Sequence, residues 1–219
     1  MSVFASAELD RADRRAQWRQ VLLVYASLEG ALWTAGAVQS LFIALTVALA
    51  VAWSFSERYA WRDLGLDPAS IRRGWWIAPV GAAVAALILL AAWLSHTLRW
   101  PASGMVICLN IALSLTWAFA QQFLAQSFFF LHFEYLLRSG RRAVIATALL
   151  FSSAHIPNPV LMPVTLAGGL ILSELFRRHR TLYLLAVAHA LVALALAISV
   201  PEIVLHDMRV GIGYISYRP

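Results

Sequence analysis

The sequence predicts an all-α protein, a polytopic transmembrane helical bundle of about seven spans. Two observations carry this. First, 61% of the 219 residues are apolar and 13% are charged, where a soluble domain is nearer half apolar and a quarter charged. The mean hydropathy of +0.73 points the same way. Second, the apolar residues come in long runs separated by short arginine clusters. Disordered chains, collagen-like chains and ordinary soluble enzymes are excluded. Roughly 20 apolar residues cross a bilayer as a helix, so the spans use up the chain and leave no room for a separate soluble domain.

Each span follows from a run and its borders. Residues 1–19 are polar and amphipathic, with no cleavable-signal pattern, and read as a cytoplasmic N-terminal segment. Residues 20–56 are apolar almost throughout. At about 1.5 Å per residue they would make roughly 55 Å of helix, too long for one crossing of about 30 Å. A turn near Gly36–Ser40 divides them into two short spans. Further runs lie at 74–98, 105–136, 143–156, 159–176 and 181–200. The single transmembrane domain is 20–200, and 201–219 is an extracytoplasmic tail. Cys108 excludes an intrachain disulfide and, in an apolar run, is expected to be a small core residue.

The charges fix the orientation. All 17 basic residues are Arg and the net charge is +6. A pI near 10.2 would suggest nucleic acid in a soluble protein; between apolar runs it reports topology, and no nucleic-acid partner is expected. With the N-terminus inside, the inner segments hold Arg11, Arg14, Arg15, Arg19, Arg58, Arg62, Arg72, Arg73, Arg138, Arg141, Arg142, Arg177, Arg178 and Arg180. Only Arg99, Arg209 and Arg218 fall outside. Reading 20–56 as one span would put basic loops on both sides, against the positive-inside rule. Trp18, Trp61, Trp75 and Trp76 fall near the inner surface and Trp93 and Trp100 near the outer, as interfacial belts. The expected location is an integral membrane position, in a bacterial cytoplasmic membrane.

Three acids lie inside the runs. Glu134 precedes Arg138 by four residues, and Glu174 precedes Arg177 and Arg178 by three and four, spacings that suit helix-face ion pairs. Glu29 has no Arg within a turn and is a candidate functional acid, since an unpaired intramembrane carboxyl is a functional hypothesis by default. Among the few polar residues deep in later spans, Gln122 and Gln126 share a helix face, His155 ends the short fifth span before Ile156-Pro157-Asn158-Pro159, and His189 is near the middle of the last. By helix rise, Gln121, Gln122, His155 and His189 lie roughly 10–25 Å from the inner charges. Dispersed polar groups are costly in lipid, so these four are expected to line one polar cavity.

At these residues the chain resembles the CPBP family of intramembrane proteins, which includes the type II CAAX prenyl endopeptidases and the Abi proteins. The resemblance rests on the order and spacing of motifs over about 115–195, on Phe151-Ser-Ser-Ala-His155 as the family's Phe-x-x-x-His, and on His189 as its last His. The stretch Trp61-Arg-Asp-Leu-Gly-Leu-Asp-Pro with Ser70-Ile-Arg-Arg looks like the usual entry to the family core, here about 60–195. Two motifs depart from the pattern. Gln121-Gln122-Phe-Leu-Ala-Gln126 stands where the family has Glu-Glu-x-x-x-Arg, and His189-Ala-Leu-Val-Ala193 where it has His-x-x-x-Asn or Asp. The resemblance implies a general-base role for the first Glu, helped by a His, and an oxyanion role for the second His and the amide.

A neutral amide has no useful basicity, so Gln121 can orient water but not deprotonate it. Loss of a general base commonly costs about 10²–10⁴ in rate, and loss of an oxyanion donor at Ala193 roughly another 10²–10³. Without the acids, a buried Arg at 126 would be an unpaired charge, so the three Gln form a coherent neutral set. The leading expectation is a CPBP-like membrane protein without glutamate-type peptidase activity, its cavity binding a membrane peptide, lipid or partner protein. The alternatives are a residual endopeptidase with His155 or His189 as base and Glu29 as carboxylate, and a haem- or pigment-binding subunit ligated by His155 and His189. No metal or cofactor is expected in the leading reading.

Overall fold

The computed structural model describes residues 3–56, 59–99 and 103–218, and the side chains of 3–11 also lie outside that description. Arg58, Trp100 and the side chain of Arg11, used above for orientation, are therefore outside the described residues. Every regular element among the described residues is helical. The helices are α1 (Val3–Trp33), α2 (Gly36–Ser56), α3 (Ala69–Gly74), α4 (Ile77–Leu94), α5 (Gly104–Gln122), α6 (Leu131–Leu137), α7 (Gly140–Ser153), α8 (Leu161–His179), α9 (Leu182–Ser199), α10 (Glu202–Leu205) and α11 (Gly211–Ile215), with a π-helical stretch at Phe123–Phe130 joining α5 to α6. Four helices are long and apolar enough to cross a membrane: α2, α4, the continuous 104–137 unit and α9. The N-terminal part of α1 is charged, α7 has only 14 residues, and α8 ends in Arg177, Arg178 and His179. Seven crossings remain a reading of the charge pattern.

The long apolar stretch 20–56 is broken, at Thr34–Ala35, just before the expected turn. Gly36 takes the left-handed conformation (φ 63°) that follows a helix end. The two helices then pack as a hairpin, with Thr46 Oγ1 2.9 Å from Ser27 Oγ and Gln39 Nε2 donating to Ala31 O at 2.9 Å. The polar N-terminal segment is not separate; it continues into the first apolar run as one 31-residue helix.

The arginine-rich loops gather at one end of the bundle. Arg14 Nη2 donates to Leu136 O at 2.9 Å, Leu182 N to Gly65 O at 2.9 Å, and the Trp76 ring meets His179 at 5.5 Å. Glu134 pairs with Arg180 at 2.6 Å, a partner 46 residues away that helix spacing does not suggest. Arg138 and Arg180 both end their helices in the left-handed region. Glu174 makes the expected pairs with Arg177 and Arg178, at 2.7 and 2.5 Å. At the opposite end, Arg99 Nη2 donates to Ala197 O and Val200 O at 2.8 Å. That places a cation on the carbonyl end of α9, where the helix dipole favours it.

Close helix packing relies on small residues, as in membrane bundles. A Cβ on Gly81 of α4 would lie 2.7 Å from Ala188 Cβ of α9. The densest core is aromatic: Phe128, Phe129 and Phe130 of the π-helical stretch and Phe176 of α8 are fully buried. His132 is equally buried, between Phe128 O and the Gln20 side chain. Residues 103–113 of α5, by contrast, are all exposed. Cys108 is therefore exposed and not the core residue expected, and Asn110 faces outward with it; only the second half of α5 is covered, by α9 and the π-helical stretch.

Candidate functional site

The three Gln positions sit where α5 passes into the π-helical stretch. An eight-residue π segment is unusual, and π geometry is frequently found at functional sites. Gln122 is 1% exposed. Its Nε2–H donates to His189 Nδ1 at 3.0 Å, and its Oε1 accepts from Gln126 Nε2 at 3.3 Å, so the shared face read from the sequence is real. Gln126 Nε2 also reaches Ser173 Oγ of α8, at 3.2 Å. The chain Ser173–Gln126–Gln122–His189 thus links α8, the π-helical stretch, α5 and α9.

His155 lies in the turn after α7. Its Nδ1–H donates to Phe151 O at 2.6 Å, since a carbonyl can only accept. Phe151 contacts both histidines, its ring centroid 5.0 Å from His155 and 5.9 Å from His189. The imidazoles are therefore in one layer, less than twice that second distance apart. Their tautomers differ. With Nδ1 committed as donor, neutral His155 keeps a lone pair on Nε2. With Nδ1 accepting from Gln122, neutral His189 carries its proton on Nε2.

Both histidines, with Gln121 and Ala193, line a cavity of about 1300 Å³. Its walls are aliphatic and aromatic, from α2, α4, α5, α8 and α9. Gln122 and Gln126 are outside that lining and support His189 from behind. Among the described residues no Asp or Glu lines the cavity, and Arg209 is the one Arg that does. Glu29 is not brought to it: its Oε2 accepts from Trp33 Nε1 at 2.9 Å on the same helix.

The sequence reading passed over two parts of this site. Asn158, 0% exposed, caps α8 by accepting from Val160 N and Leu161 N at 3.1 and 3.0 Å. Its Nδ2 donates to Leu205 O and Arg209 O at 2.9 and 3.1 Å, and its own N to His155 O at 2.9 Å. An Asn just before an apolar run is a helix-start signal, so the cap was legible; its hold on the tail was not. The tail itself closes one end of the cavity with Met208, Arg209, Val210 and Gly213, and Gly211 N donates to Ile156 O at 2.8 Å.

This geometry meets the comparison with known families. The family described as Type II CAAX prenyl endopeptidase Rce1-like matches residues 103–195. This stretch of the chain is Rce1-like. It runs from α5 to one turn short of the end of α9 and contains Gln121, Gln122, Gln126, His155 and His189, in agreement with the CPBP resemblance. The Rce1-like stretch excludes the entry segment at 61–73 and the tail, yet both are docked on it. Tyr183 OH donates to Leu66 O at 3.1 Å, and Ser127 Oγ to Leu64 O at 2.7 Å. No curated protein and no solved structure matches the chain. At the coarse level the protein is an integral membrane protein, with four helices long and apolar enough to cross a membrane and an Rce1-like match over residues 103–195.

Proposed function

We propose that this Rce1-like membrane protein uses the cavity to bind a membrane ligand and is not a glutamate-type peptidase. The observation that supports this is the acid-free lining: Gln121 stands at the position of the family's general base, and Gln122 spends its amide on His189. A peptidase of this type needs a carboxylate that accepts a proton from water near the working pH. Ala193 supplies no amide to a developing oxyanion. The orientation we infer has the arginine-rich end in the cytoplasm, in a bacterial inner membrane, with lipid, a membrane peptide or a membrane protein as partner.

The test is cleavage of a prenylated reporter peptide in detergent. Wild type should show no turnover above the background of mock-purified membranes. Gln121→Glu alone should not restore it, because Gln126 brings no counter-charge and Ala193 no donor, and groups that act as a unit are not additive. Gln121→Glu, Gln122→Glu, Gln126→Arg and Ala193→Asn together are the least that should help.

A second reading is a hydrolase with a histidine base, favoured by the lone pair that His155 keeps on Nε2. Robust wild-type turnover that His155→Ala abolishes would establish it and sink the first. The haem reading is weaker, since His189 with its proton on Nε2 has no lone pair there for an axial iron.

A further inference from the structure

We infer that the ligand is a neutral acyl lipid, an ester or amide of a long chain that also carries a free hydroxyl or N–H, of the monoacylglycerol class. The inference rests on the reading of the cavity as a binding site. Three features of the cavity point to it. The first is size: about 1300 Å³ exceeds the roughly 300–1,000 Å³ that holds a drug-sized molecule, and the aliphatic walls suit a long chain. The second is charge. No acid among the described residues faces the cavity, and the guanidinium of Arg209, the one Arg of the described lining, is already engaged, stacked 5.1 Å over Tyr217 and 3.9 Å from Asp207. A phosphate or carboxylate in the cavity would be a charge in low dielectric whose one cationic partner in the described lining is that already engaged guanidinium.

The third is the hydrogen-bond pattern. His189 offers an Nε2–H and His155 an Nε2 lone pair, both rings in contact with Phe151. The complement is a head group with one acceptor and one donor a few bonds apart. An ester carbonyl beside a free hydroxyl has this form. A peptide fits less well, because an extended backbone presents an N–H and a C=O at every residue. Gln121 and Ser114 of α5 add two polar side chains to the wall; its other polar side chains are engaged with their own chain, Thr46 donating to Phe42 O at 2.7 Å, Thr165 to Leu161 O at 2.7 Å and Gln39 to Ala31 O at 2.9 Å. Most of a peptide's backbone groups would be left unpaired, at a cost for each.

The probe is tritiated 1-monopalmitoylglycerol, bound to purified protein in detergent and read by scintillation proximity. A ¹³C-carbonyl version is read by isotope-edited infrared spectroscopy. Wild type should bind saturably and lower the carbonyl stretch. His189→Leu and His155→Leu should each weaken binding about tenfold, the scale of one hydrogen bond, and His189→Leu should return the stretch to its free value. His189→Gln keeps an N–H donor and should retain most of the affinity, which separates a lost contact from a lost fold. Leu109→Ala, on the exposed half of α5, should change nothing. Saturable binding indifferent to both histidine variants, or equally well competed by palmitate, would overturn the ligand class and leave the cavity reading standing. Stronger competition by a blocked farnesylated tetrapeptide would overturn it in favour of a peptide. No saturable binding of lipid or peptide would end both readings.

Discussion

Gln122 decides which nitrogen of His189 carries the proton. An amide can donate to Nδ1 as well as accept, and here its oxygen is already engaged by Gln126, so the N–H is the group left to face His189. A carboxylate in the same place can only accept. Gln122→Glu is therefore expected to move the His189 proton from Nε2 to Nδ1 and turn its cavity-facing nitrogen from donor to acceptor. Nitrogen-15 shifts of labelled histidine would show the exchange as a reversal of the two ring signals of His189, with His155 unchanged. Retention of the wild-type pattern would mean that the amide is oriented the other way. The same argument links two of the three Gln: Gln126 donates to Gln122 Oε1, which leaves the Gln122 N–H for His189.

The element that matters most beyond the Rce1-like stretch is the C-terminal segment. Asn158 ties it to the His155 turn and to the start of α8 with one side chain, and Gly211 seats it against α1. Gly211 has φ 55°, and a Cβ there would lie 2.0 Å from Leu32 O, a backbone atom that cannot swing away. Gly211→Ala is expected to lift the tail, and Asn158→Ala to loosen both the tail and the turn. Losing several buried hydrogen bonds at about 1–3 kcal/mol for each group left unsatisfied should lower the thermal midpoint in detergent by several degrees. Trypsin cleavage after Arg209 should be faster in both variants than in wild type. Equal cleavage rates would show that these contacts do not hold the segment down.

Over the whole molecule, the loops sort into two ends. Gly65, Trp76, Leu136, His179 and Arg180 meet at one, and Leu32, Arg99, Ile156, Val200 and Gly211 at the other. The continuous 34-residue unit from Gly104 to Leu137 is about 50 Å long at helix rise and exceeds a hydrocarbon layer of about 30 Å. It must tilt or project at an end. If all seven long helices cross, the two ends are the two faces of the membrane, and the basic end is cytoplasmic by the positive-inside rule. A reporter fused after Pro219 should then read as extracytoplasmic, and one before Met1 as cytoplasmic. A cytoplasmic reading at Pro219 would remove one crossing from the count.

Composition and periodicity determined the helical class, the division of 20–56 and the Glu174 pairs, because these depend on apolar run length, bilayer thickness and contacts within one or two turns. The residue types at 121, 122, 126, 155 and 189 singled out a candidate site, since polar groups are rare and costly inside apolar spans; of these, Gln121, His155 and His189 line the cavity. The tertiary structure alone decided who meets whom across the chain. Glu134 takes Arg180 from another helix, Gln122 and not Gln121 holds His189, Glu29 stays with Trp33, and Cys108 faces outward because half of α5 has no helix against it. Each of these depends on how the helices are rotated and stacked. That arrangement is set by close approaches such as Gly81 against Ala188, and by a π-helical stretch that shifts the register of every residue after it. Local pattern cannot encode either, because both are properties of pairs of elements.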